Sequence, residues 1–99
     1  MGAVHETTVD LTTVVQHLEW LALELRDSHR QRMPAEISAA CDALTCAAVL
    51  LRTQQDVPDG HAAHTDLLYD AVAFARSTVE TTKMACRERR GSRRGGSEA

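Results

Sequence analysis

LTTVVQHLEWLALELRDSHRQRMP, residues 11–34, places Leu11, Val14, Leu18, Leu21 and Leu25 at alternating intervals of three and four and then meets a proline. That spacing lines apolar side chains along one face of an α-helix, and Val15 and Ala22 widen the stripe. Thr7, Thr8 or Asp10 offers an oxygen to cap its first turn. Met33-Pro34 ends the helix, because proline disfavours a helical residue before it. The same proline suits the first position of a new helix, with Glu36 near its positive end.

Outward from this stretch the pattern repeats. A second helix carries Ile37, Ala40, Cys41, Leu44, Ala47, Ala48 and Leu51, and QQDVPDG at 54–60 breaks it. A third opens at Asp59 or Gly60 and carries Leu67, Leu68, Ala71, Val72, Ala75, Val79 and Cys86. Short connections make consecutive helices antiparallel. The expectation is an all-α fold, a three-helix up-down-up antiparallel bundle over residues 1–90 that dimerises. A disordered Arg/Gly-rich C-terminal tail follows over 91–99. Helix three should be the longest, with its arginine-rich end projecting beyond the other two.

The dimer is expected from composition. Of the hydrophobic residues 15 are alanine, and the 99-residue chain has one Trp, one Tyr and one Phe. Alanine packs closely but buries little area, and burial stabilises at only about 25 cal/mol per Å². A monomer core of this kind is marginal for one small domain.

Surplus apolar positions show where association could occur. Trp20 lies nearly opposite the Leu11–Leu25 stripe, flanked by Val9 and Leu23. On helix two, Ala39, Ala43, Cys46 and Leu50 broaden the apolar face beyond half the circumference. Val9, Trp20, Leu23, Ala39, Ala43 and Leu50 are therefore the candidate partner or dimer interface.

Charge is unevenly placed. Residues 1–82 hold 5 basic and 12 acidic side chains, whereas residues 83–99 hold 6 basic and 2 acidic. RERRGSRRGG, residues 87–96, puts Arg87, Arg89, Arg90, Arg93 and Arg94 where phosphates could be neutralised. No aromatic residue accompanies them to stack on bases. Cations at a helix C-terminus also favour its dipole without any ligand.

DGHAAHTDLLYD, residues 59–70, sets His61 and His64 three apart, about 60° around a helix. Two ligands on one metal fit that spacing. Asp66 and Asp70 point elsewhere, so a third ligand would have to come from His5, Glu6, Asp10 or Asp56 at the same end of the bundle. The spacing also departs from the zinc helix motif, whose histidines stand four apart. A helix start capped by Asp59, with histidines at the core's edge, accounts for the stretch without a metal.

Cys41 and Cys46 are five apart, about 140° around one helix, and no CxxC occurs. Free thiols and the absence of a legible secretion signal point to a reducing, cytoplasmic setting. No apolar run is long enough to span a membrane. Glu6 stands where the myristoylation pattern needs Ser or Thr. Neither a nucleophile elbow nor a glycine-rich phosphate loop is present, and the residues around His17 carry no phosphotransfer signature. No enzymatic activity and no cofactor are expected. The reading that remains is a small accessory or regulatory protein working through helix-face protein–protein contacts, as a homodimer. The alternatives are nucleic-acid association through the tail and a metal or thiol sensor at His61 and His64.

Overall fold

The computed structural model describes residues 10–55 and 61–98, with side chains described over 10–55 and 64–91. Three helices make up the fold: α1 (Leu11–Ser28), α2 (Ala35–Arg52) and α3 (His61–Glu98). Their lengths, 18, 18 and 38 residues, correspond to about 27, 27 and 57 Å at 1.5 Å per residue. As expected, α3 is the longest.

Asp10 caps α1. Its carboxylate accepts from the Thr12 backbone N–H at 3.1 Å and from the Thr13 hydroxyl at 2.9 Å. At the other end His29 closes the helix through its backbone N–H and through Nδ1, which donates to the Leu25 carbonyl at 2.8 Å. Pro34 sits one position earlier than anticipated, as the N-cap of α2, and its carbonyl accepts from the Ser38 N–H. Its fixed φ is −58°, with ψ extended at 149°, so the chain turns there and helical geometry begins at Ala35.

Both pairings are antiparallel. Glu19 in the first half of α1 meets Arg52 at the end of α2, and Arg26 near the end of α1 meets Asp42 in the first half of α2. In the same way Cys46 of α2 meets Ala71, and Glu36 meets Arg89 far along α3. This is the up-down-up order that short connections dictate.

The closure is open rather than triangular. α1 packs on α2 and α2 packs on α3, but among the described residues no Cα of α1 lies within 8 Å of one in α3. At 100° per residue, Cys41, which meets α1, and Cys46, which meets α3, point about 140° apart. The three helices thus form a layer with α2 in the middle.

A layer has two seams instead of one core. Val15 and Ala22 of α1 are buried, as are Ala39, Cys41, Ala48 and Val49 of α2 and Ala71 and Ala85 of α3. Alanine dominates because helices approach closely only where side chains are small. Cys41 is the largest side chain that is fully buried. A sum of such small buried surfaces stabilises little.

The inward row of α3 differs from the stripe anticipated. His64, Leu67, Ala71, Phe74, Thr78, Thr81 and Ala85, again at threes and fours, are the buried or half-buried positions. Leu68, Val72, Ala75, Val79 and Cys86 stand one position later and are exposed. The stripe read from the sequence merged two rows. Threonines on the inward row hid it: Thr78 can sit there because its hydroxyl donates to the Phe74 carbonyl at 2.9 Å.

Candidate functional site

The two broad sides of the layer differ in chemistry. On one side polar groups bridge the helices. Arg26 pairs with Asp42 at 3.6 Å, and the Ser77 hydroxyl donates to the same Asp42 at 2.5 Å. Asp42 therefore ties α1 and α3 to the central helix from a single carboxylate. Arg52 pairs with Glu19, and the Gln55 amide donates to the Thr12 hydroxyl at 2.9 Å. These groups are exposed or half-buried, so each pair contributes about 0–1 kcal/mol. Their geometry specifies register more than it adds stability.

The opposite side is apolar. With the bridged residues fixing which way each helix is turned, the helical phase places Leu21 of α1 on the other side. Leu44, Ala47 and Leu51 of α2 join it there, with Leu68, Val72, Ala75 and Val79 of α3. Leu21 is 36% exposed, Leu68 49%, Val72 46% and Val79 52%. Leu50, 44% exposed, and Ala43 lie at the border of α2 toward α3. Along α3 an open groove of about 460 Å³ is lined by Val72, Ala75, Arg76, Val79 and Glu80. Scattered apolar residues on a surface are ordinary, but a contiguous set across three helices is not.

The residues singled out from the sequence divide among different places. Ala43 and Leu50 border the apolar side. Ala39 does not belong to a free face: it is 7% exposed, because the central helix is covered on two sides and α3 takes that part of its wide apolar surface. Trp20, 55% exposed, lies toward the outer edge of α1, and Leu23, 63%, lies on the bridged side beside Arg26. The Trp20 ring meets the edge of the His17 ring, centroids 6.2 Å apart. Val9 lies outside the described residues.

Arg89 is held by Glu36 at 2.7 Å, whereas Arg87 and Arg90 are exposed. The Glu36 carboxyl is held below its usual pKa, first by its own backbone N–H at the start of α2 and then by Arg89. Arg93 and Arg94 fall outside the described side chains, as does most of the 91–99 segment read as a tail. His61 is outside them too, and so is the proposed cap Asp59. His64 is half-buried at the α3 end, and its Nε2 has no hydrogen-bond partner among the described residues. Among those residues no three His, Cys, Asp or Glu side chains come together as a metal set.

Cys41 is buried, Cys46 half-buried and Cys86 exposed, all as free thiols. Among the described residues no helix is long and apolar enough to cross a membrane. Comparison with protein-family models, with curated proteins and with solved structures returned no match for this chain.

Sequence reasoning detected surplus apolar surface and missed where most of it lies. The signal was present in α3: Leu68, Val72, Ala75, Val79 and Cys86 recur at intervals of four, three, four and seven, a second stripe one position out of phase with the first.

Proposed function

We propose that this chain is a small non-catalytic accessory or regulatory protein that acts through helix-face protein–protein contacts, as a homodimer in the cytoplasm. The observation that carries this is the uncovered apolar side of a layer whose own seams are lined chiefly by alanine. Covering that side adds the leucine and valine burial the monomer lacks. Trp20 and Leu23 of α1, both off the apolar side, stay available to anchor a protein partner, since aromatic side chains are frequent energetic centres of interfaces. Trp20→Ala should leave the helical content intact and weaken partner binding.

Light scattering across a range of protein concentrations tests the dimer. Wild type should have twice the chain mass, and Val72→Glu with Val79→Glu should shift it to the monomer while circular dichroism remains helical. A wild type that stays monomeric at all concentrations overturns the homodimer.

One feature favours a second reading. Arg87 and Arg90 are exposed in the C-terminal part of α3, beyond most of the pairing with α2. Weak, sequence-tolerant binding of single-stranded nucleic acid would fall steeply with salt and vanish when residues 87–99 are removed. Binding of an oligonucleotide that survives this truncation excludes the tail as its site.

A further inference from the structure

Building on the homodimer reading, we propose that the second copy lies on the apolar side in one orientation, with its α1 over α3 and parallel to it. The occupant is another copy of this chain because the face has the size and shape such an interface requires. The overlapping helices are about 27 Å long, and three of them side by side span about 28 Å. The resulting ~750 Å² is close to the ~800 Å² that each partner contributes to a standard interface. Two layers meeting through this side are self-complementary under two-fold symmetry.

Two orientations satisfy that symmetry with the helix axes aligned, and charge separates them. On α1 the margin of the apolar side carries Glu24. On α3 the corresponding margin carries Arg76, which borders the groove beside Val72 and Val79. Both are exposed, and neither makes an ion pair among the described residues, whereas nearby Lys83 is paired with Glu80. A two-fold axis across the helices would lay α1 on α1 and α3 on α3, antiparallel, so that Glu24 of one copy meets no Arg76 of the other. An axis along the helices lays α1 on α3, so that acidic faces basic.

Height also agrees. Asp42 bridges Arg26 and Ser77, which puts Arg26 and Ser77 at one level along the layer. Glu24 then stands level with Ala75 and Arg76, and Leu21 with Val72. An axis along the helices preserves these levels, so Glu24 of one copy meets Arg76 of the other, and the contact occurs twice.

Two measurements test the orientation. Glu24→Arg and Arg76→Glu should each raise the dimer dissociation constant in sedimentation by about ten-fold, since each acts at two sites. The double exchange should return it to within about three-fold of wild type. In a Cys86→Ser background, mixing Leu21→Cys chains with Val72→Cys chains and oxidising with copper–phenanthroline should give a mixed disulfide dimer. Neither variant alone should give one. A dimer that instead cross-links Leu21→Cys to itself, that cross-links in neither case, or that is not restored by the double exchange overturns the orientation and leaves the homodimer standing. A monomeric wild type overturns both.

Discussion

Cys41 and Cys46, five residues apart on α2, face opposite neighbours: the Cys41 thiol lies 3.7 Å from the Ala22 carbonyl of α1, and the Cys46 thiol 3.4 Å from the Ala71 carbonyl of α3. Five residues turn a helix by about 140°, and that angle is what makes α2 the centre of a layer. A helix in a closed three-helix bundle would direct its two contact faces only about 60° apart. The same pair explains why the chain keeps small residues on both sides of α2. Each thiol fills a gap between backbones that a branched side chain would force apart.

The three thiols should react in order of exposure. Cys86 is exposed, Cys46 half-buried and Cys41 buried. Under native conditions a small thiol reagent should modify Cys86 first and Cys46 later, with Cys41 reacting only as fast as the protein unfolds. Mass spectrometry after timed labelling reads the order directly. Modification of Cys41 at the rate of Cys86 would show that the α1–α2 seam does not exclude reagent.

The α1–α2 seam should tolerate little added volume. Ala22 is 2% exposed and its carbonyl already touches the Cys41 thiol. Ala22→Leu should cost about 1–3 kcal/mol through separation of the helices. Ala73→Leu, at an exposed position of α3 turned away from the apolar side, should change stability by less than about 0.5 kcal/mol. Urea denaturation of both variants at one protein concentration gives the comparison, because a dimer's apparent stability depends on that concentration.

Helix number, order and direction were legible because they depend on local signals: the three-and-four spacing of Leu11 to Leu25, the proline at 34, and the break at QQDVPDG. The layer was not legible, because it depends on which of two apolar rows of α3 turns inward. Leu68, Val72 and Val79 make the more hydrophobic row, yet the row with Thr78 and Thr81 is packed. Hydrophobicity ranks the rows the wrong way when threonine satisfies its hydroxyl within its own helix. Trp20 was conspicuous in the sequence and is indeed exposed, but it occupies an edge of the layer and not its apolar side. The placement of Ala39 failed for a related reason. An unusually wide apolar surface on α2 signals a central helix as readily as an oligomeric one.

Capping at Asp10 should be measurable. Its carboxylate serves both the Thr12 N–H and the Thr13 hydroxyl, at the start of a helix whose first turn holds two threonines. Asp10→Ala should lower stability by about 1 kcal/mol, and Asp10→Asn should recover most of that because the amide oxygen still accepts the N–H. Hydrogen exchange at the first turn of α1 would localise the effect. Equal losses in both variants would show that charge near the helix dipole, rather than the cap bond, is responsible.

Acid should loosen the contact between the start of α2 and the far part of α3. Glu36 has its pKa lowered from 4.5 by its own backbone N–H first and by Arg89 second. A carboxylate whose folded pKa is depressed contributes stability that is fully present above its unfolded pKa and is lost as pH falls through the folded value. The contribution should therefore hold at neutral pH and disappear below about pH 4.5, its window set by the unfolded carboxyl value. Arg89→Ala should raise the Glu36 pKa only part of the way to its ordinary value, because the backbone hydrogen bond remains. An NMR titration of the Glu36 side-chain carbon in both proteins tests this. A full return to 4.5 in Arg89→Ala would assign the whole shift to the ion pair, and no change would mean that Arg89 and Glu36 do not meet in solution.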